Sequence, residues 1–450
     1  MFADALPTGA IDSFLQNAPL DPGFNTLFGY ISPDQTGAYN SFGAACAANC
    51  TLNQLSLAAD ASFKANYANG GAVAPFSFYN ANPARVPIYY KWSLELQREI
   101  GWHTTLNLLY VGNHGSHEEF SNQALNAWCC NNPVVNGVQT FQLPSQAASF
   151  GNLPTSVPDA RFGVVSNANN VANSNYHGFT VTANHAFSGG FQFQASYTWS
   201  HALDEISNNS LSPFGLNTTG LYADPIYPQN PSSFRQNYGN ADYDIRHNFV
   251  MNYVWNDAFR HLTHWGPNAL VKGWTFSGTI FAHSGLPFTV YSSTYTSALE
   301  NTNFGPGGGA QYIFADEAAG PVSCGAAAAT VNAAGLAAAP CATAAQFPDP
   351  TTTFGNQARN QNRGPRYFDT DFAVEKGFGI PKWERAQFSL GARFFNFFNH
   401  PDFYFPIMNA DSPLFGQIIQ TISTPTSIYG SGLGADASPR VIQLQAKFVF

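Results

Sequence analysis

FTVTANHAFSGGFQFQASYTWS, residues 179–200, reads as two strands joined by a turn. Phe179, Val181 and Ala183 alternate with Thr180, Thr182 and Asn184; Ser188-Gly189-Gly190 reverses the chain; then Phe191, Phe193, Ala195, Tyr197 and Trp199 alternate with Gln192, Gln194, Ser196, Thr198 and Ser200. A period of two sends apolar side chains to one face of a pleated strand and polar ones to the other. Glycine allows the positive φ of a tight hairpin. One face is built for apolar surroundings, and the other is wet but uncharged.

The same pattern recurs on both sides of this hairpin. Tyr90, Trp92, Leu94 and Leu96 oppose Lys91, Ser93, Glu95 and Gln97, and a turn at Gly101-Trp102 leads into Leu106, Leu108 and Tyr110. Further along come Phe249–Trp255 with Trp274–Ala282, then Phe368–Glu375 with Phe388–Phe394. The closing stretch RVIQLQAKFVF, 440–450, is the ninth strand, with Ile442, Leu444, Ala446, Phe448 and Phe450 against Gln443, Gln445 and Lys447. Connections alternate in length: short around Gly101, Gly189 and 377–384 and moderate at 256–272, but long at 114–175, 202–244, 285–366 and 400–439. Loops this long are uncommon in compact soluble domains. Short turns at one end and long loops at the other characterise outer-membrane barrels, where the long loops are extracellular. Tyr197 with Trp199 and Tyr253 with Trp255 suit an interfacial aromatic girdle. The fold expected is therefore all-β, an antiparallel up-and-down transmembrane β-barrel, its C-terminal part of nine strands spanning 86–450. Residues 1–85 read as a loop-rich N-terminal segment, an extracellular loop of a truncated barrel. The competing architecture is a large soluble β-sandwich, and the competing function a secreted or surface-exposed carbohydrate-binding or adhesion protein without transport.

Composition narrows the classes. Of 450 residues only 10% are charged while 15% are aromatic, and the net charge is −9. Without a Lys/Arg cluster, nucleic acid is an improbable partner. No run of about 18 apolar residues exists, so a membrane helix is not expected. The start MFADALPTGAIDSF lacks the basic and apolar regions of a signal peptide, so an export signal is expected outside this chain. Six cysteines fall close in sequence as Cys46 with Cys50, Cys129 with Cys130, and Cys324 with Cys341. Their loop settings favour local disulfides in an oxidising compartment over free thiols. Zinc ligation would need doubled CxxC or Cys/His spacing that these pairs lack.

Candidate chemistry is sparse. His114, His117, Glu118 and Glu119 could bind a metal, but without a helical HExxH spacing they read as a polar extracellular loop. Asp242, Asp244 and Arg246 could be an acid/base pair with a charge partner; the preferred reading is a rim ion-pair cluster that anchors a long loop to the strand mouth. GPGGGA at 305–310 has no following Lys-Ser/Thr for a phosphate loop. No triad stands out. No catalytic residue, metal or cofactor is therefore expected, and the protein is read as a non-enzyme.

Several phrases together resemble the C-terminal half of TonB-dependent transporters, specifically Oar-like receptors with a carboxypeptidase-regulatory-like N-terminal domain. They are YKWSLELQREI (90–100), LYVGNHGSH (109–117), NYHGFTVTANHAFSGGFQFQASYTWSHALDE (175–205), NADYDIRHNFVMNYVW (240–255), GWTFSGTIFAHSGLPFTV (273–290) and FSLGARFFNFFNHPDF (388–403). The resemblance implies a larger barrel with a plugged lumen, of which this chain lacks the plug, the TonB box and the remaining strands. It implies a bacterial outer-membrane location, contact with outer-membrane lipid, and TonB engagement only through a missing N-terminal region. The terminal strand resembles the signal that the barrel-assembly machinery recognises, with Phe448 and Phe450 as its aromatic positions. The ligand, small molecule, glycan, peptide or metal chelate, is expected to meet the long loops and the polar lumen face. Cys324 and Cys341 would close a loop tip that restrains a lid.

Overall fold

The computed structural model describes residues 76–79, 85–122, 134–135, 138–139, 165–205, 207, 234–259, 268–292, 313–325, 338–350, 353–380, 386–419, 421 and 440–449. Its frame is a meander of nine long strands: β1 Ile88–Gly101, β2 Thr104–Asn122, β3 Val165–Ser188, β4 Phe191–Asp204, β5 His247–Asn256, β6 Trp274–His283, β7 Tyr367–Gly379, β8 Gln387–Phe395 and β9 Val441–Val449. Each pairs antiparallel with its sequence neighbours, so spatial order follows chain order from β1 to β9. Among the described residues no helix is long and apolar enough to cross a membrane; a barrel crosses with strands.

Register makes the two faces explicit. Phe193 sits opposite Tyr253, Tyr253 opposite Gly278, Gly278 opposite Phe372, Phe372 opposite Phe394 and Phe394 opposite Ile442. On the other face Asn184, Gln194, Asn252, Thr279 and Asp371 form one row across five strands. Hydroxyl pairs add cross-strand bonds there, Thr180 with Thr198 at 2.9 Å and Thr182 with Ser196 at 3.0 Å. Aromatic rings stack along the apolar face, Phe276 on Phe372 at 5.8 Å and Phe372 on Phe394 at 6.3 Å, which suits cross-strand aromatic pairing. Near the short-turn end of this face Lys376 lies over the rings of Trp274 and Phe378, each at 5.4 Å, and donates to the carbonyl of Lys272. A lysine placed so covers apolar surface with its stem and carries its charge to the polar boundary.

The structure departs from the sequence reading at four places. The first turn is Trp102-His103 rather than Gly101-Trp102, with both residues at positive φ (51° and 56°) and a bulge at Gly101; two left-handed central residues match the twist of a tight hairpin. The expected loop at 114–175 begins and ends in strand, because β2 continues to Asn122 and β3 starts at Val165, paired as far as Asn122 with Asn167. Twenty-four residues of β3 at ~3.3 Å each make a ladder of ~80 Å, well beyond a ~25 Å apolar band. Within 1–85, Phe76–Tyr79 is a short strand parallel to the start of β3. The connection between β6 and β7 is folded: Pro287–Phe288 pairs with Asn362–Arg363, and Tyr291–Ser292 with Ile313–Phe314.

That last connection carries the hydrophobic core. Phe288, Val290, Ala315, Cys324, Ala342, Phe347, Phe403, Phe415 and Ile418 bury together, joining the β6–β7 connection to the one between β8 and β9. The two form a cap at the long-loop end. A strand wall that turns its apolar face to lipid needs no core of its own, so burial concentrates in the part that water surrounds.

Candidate functional site

The cap meets the strand wall through a buried charged network. β4 ends at Asp204, only 2% exposed, and β5 is preceded by Asp242, Asp244 and Arg246. The returning leg of the cap brings Gln357, Arg359, Asn360, Asn362 and Arg363 against them. Arg359 is 1% exposed; its guanidinium pairs with the Asp204 carboxylate, donates to the carbonyls of Asp204 (2.8 Å) and Asn237 (2.9 Å), and reaches Asp242 at 3.4 Å. The Asp244 carboxylate accepts from the Ala202 amide at 2.7 Å, from Arg246 Nε at 2.8 Å and from Arg363. Asn360 donates to Asp242 at 2.7 Å and exchanges amide–carbonyl bonds with Asn240. Gln357 accepts from the Val290 amide and donates to the Ala315 carbonyl at 3.0 Å, tying both legs of the cap together.

Buried charges survive only when paired and fully hydrogen-bonded, and here three carboxylates meet three guanidinium groups. Burial still leaves its mark on groups around the network. The Glu205 carboxyl is pushed up by desolvation, against the Asn173 amide bond at 2.8 Å that favours its charged form. The Tyr243 phenol is raised by desolvation first and then by Asp204 and its acidic neighbours, so it stays a neutral donor. Beside the cap, Asp402 accepts the Phe368 amide at 2.9 Å, and burial lifts its carboxyl to about 7. His400 stands 3.7 Å from Asp402 but is held neutral by burial and by Arg366, so this contact is weak as an ion pair.

The residues singled out by sequence are distributed as follows. Asp242, Asp244 and Arg246 share the network, though Asp242 pairs with Arg359 and Arg246 with Asp244. Cys324 and Cys341 are joined by a disulfide, their Cα atoms 4.9 Å apart, inside the cap core. Phe448 lies in β9 opposite Phe388; Phe450, Cys46, Cys50, Cys129, Cys130 and 305–310 are outside the described residues. The His114–Glu119 group is not a loop but part of β2. Its members are separated in role: His114 Nδ1 is 2.8 Å from Asn175 Oδ1, while Glu118 accepts from Ser174 Oγ at 2.8 Å. No group of three or more His, Cys, Asp or Glu among the described residues could hold a metal ion. Sequence reasoning missed Arg359, Arg363, Asn360 and Gln357. Their signal was compositional, the polar run NQARNQNRGPR at 356–366, with nothing local to say what it would meet.

What this arrangement can do is fix a folded cap at the extracellular ends of β4 and β5, beside a wall whose inner rows offer uncharged amides and hydroxyls. Residues 1–443 match the model of a family described as outer membrane beta barrel domain. A comparison with curated proteins finds no match. Similar solved structures include the outer membrane transporter YddB from Escherichia coli, 9% identical with a TM-score of 0.38 over 84% of this chain and 35% of that one. Another is P. aeruginosa FpvA bound to heterologous pyoverdines, 8% identical with a TM-score of 0.34 over 81% of this chain and 27% of that one. The chain thus spans about a third of the length of the first of these and less of the second.

Proposed function

The chain belongs to the outer membrane beta barrel domain family, and on that footing we propose that it supplies wall and extracellular cap to a TonB-dependent type of uptake receptor that takes a glycan, a peptide or a metal chelate. Its place is the bacterial outer membrane, with the apolar face against lipid. The observation that carries the proposal is the folded, cross-linked cap fastened by Arg359 and Arg363 to the strand ends, beside rows of Asn, Gln, Thr and Ser. Neutral amides and hydroxyls recognise polar ligands by hydrogen bonds without holding them as tightly as charges would, which suits capture followed by release. Binding and passage, not catalysis, are the work assigned to these residues.

An open sheet has two edges, here β1 and β9, whose free amides and carbonyls hydrocarbon cannot satisfy. In the assembled receptor further strands are proposed to pair with both. Engagement of TonB and of the assembly machinery through the strand containing Phe448 belongs to the same proposal. Whole cells making the assembled receptor that contains this chain provide the test: saturable binding of an oligosaccharide, short peptide or ferric chelate, followed by uptake that an uncoupler of the inner membrane abolishes, is the expected result. Binding without energy-dependent uptake would favour a surface adhesin instead, and the absence of binding across all three ligand classes would reject the receptor reading.

A further inference from the structure

At the extracellular end of β5 to β7, where the wall meets the cap, the surface is indented. Tyr197, Phe249, Ala282 and Phe368 form one register row, and small residues at Ala282, Ser284, Gly285 and Gly364 open a recess of about 880 Å³ between the aromatic rings. The floor depends on glycine: a Cβ on Gly285 would lie 1.9 Å from the Gly364 carbonyl oxygen, so the two chain legs could not approach with a side chain between them. Tyr197 and its neighbour Trp199 are exposed, and the Tyr197 hydroxyl lies 2.8 Å from His247 Nδ1.

The lining is basic. Arg246, Arg363 and Arg366 border the recess with His247 and His400, and no carboxylate does, in a chain with 27 acidic against 18 basic residues. Arg246 and Arg363 share one carboxylate, that of Asp244, buried behind them. The network balances as a whole because Arg359 takes both Asp204 and Asp242, but its positive end, two cations on one anion, is the part that borders the recess. Arg366 is exposed and has no hydrogen-bond or ion-pair partner among the described residues. An unpaired guanidinium in a concave site presents a planar fork that fits two phosphate oxygens.

We infer that this recess docks the phosphorylated headgroup of an outer-leaflet glycolipid, with its acyl chains running down the apolar row below. A lipid is chosen over a soluble anion because the cations share the recess with Tyr197, Phe249, Ala282 and Phe368 of the apolar row, so a headgroup held there leaves its chains against that row. The inference rests on the outer-membrane placement and is independent of any transported ligand.

The test uses the full chain extracted from outer membranes in mild detergent, examined by native mass spectrometry for retained phosphorylated glycolipid. Wild type is expected to keep one such lipid. Arg366→Gln should lower its occupancy about tenfold, the worth of one charge-assisted hydrogen bond. Ala282→Phe, which fills the recess without touching a charge, should do the same, and Arg98→Gln, at the opposite end of the strands, should not. Equal retention by wild type, Arg366→Gln and Ala282→Phe would overturn the inference, as would complete displacement of the lipid by millimolar inorganic phosphate. Protein that fractionates with the outer membrane yet carries no phosphorylated lipid would overturn it and leave the family placement intact. Protein that never reaches that membrane would overturn both.

Discussion

Arg359 is the side chain on which the cap turns. It is buried with Asp204 and bonded to two backbone carbonyls, so removing it strands a desolvated carboxylate. Arg359→Ala should destabilise the cap by about 3–5 kcal/mol, whereas Arg359→Met with Asp204→Leu, which removes both charges, should recover much of that loss. Limited proteolysis at 338–350 would separate the two outcomes. Asp402 gives a pH-dependent counterpart. Its folded carboxyl titrates near 7, well above the ordinary aspartate value, because it is desolvated. Between about pH 4 and 7 the unfolded chain has lost this proton and the folded one keeps it. This contribution to stability therefore falls as pH rises through that window and is flat on either side. Asp402→Asn retains an acceptor for the Phe368 amide and should remove this slope, read as the difference between thermal midpoints of variant and wild type from pH 4 to 8. At this scale the sequence was partly legible: ADYDIR announced a charged rim, but its partners lie in a polar run more than a hundred residues away, and no periodicity connects the two.

The elements divide into those that sequence pattern defines and those it cannot. The nine strands were legible because lipid on one side and water on the other force strict alternation, visible in β4 as FQFQASYTWS. Above the membrane that demand ends. NANNVANSN, 167–175, has no strict apolar alternation, and its strand character comes from pairing, with β2 along most of its length, with Phe78 and Tyr79 at its start and with β4 at its end. The cap was illegible for the converse reason: Phe288, Phe347, Phe403 and Phe415 are far apart in turn-like sequence, and only tertiary folding gathers them. Its disulfide closes a separation of 17 residues. Replacing Cys324 and Cys341 with serine should cost the cap roughly 3 kcal/mol on the chain-entropy account, seen as faster protease cleavage of the cap while the strand wall stays resistant.

For the whole molecule the decisive property is that one sheet serves two solvents. Arginine at Phe193, in the apolar row, should cost about 2–4 kcal/mol if that row sits at mid-membrane, while arginine at Gln194 on the opposite face should cost little. Urea titration in phospholipid bilayers would measure both, and equal costs would contradict the assignment of faces. The same two-solvent logic accounts for a composition poor in charge, 10%, and rich in aromatic residues, 15%.

Arg366 immediately precedes β7 and Lys376 lies within it, ten positions on in the even-numbered series that also holds Phe368, Thr370, Phe372 and Val374. Ten residues at about 3.3 Å, inclined by about 40°, project to roughly 25 Å along the membrane normal, the height of a barrel's apolar band. With its apolar face against lipid, β7 would then act as a depth gauge, with the lysine meeting the inner surface of the bilayer and the arginine just before the strand meeting the outer. A bilayer thinner or thicker than this interval would have to pull one of them off its boundary, so the protein itself states the membrane thickness it was made for.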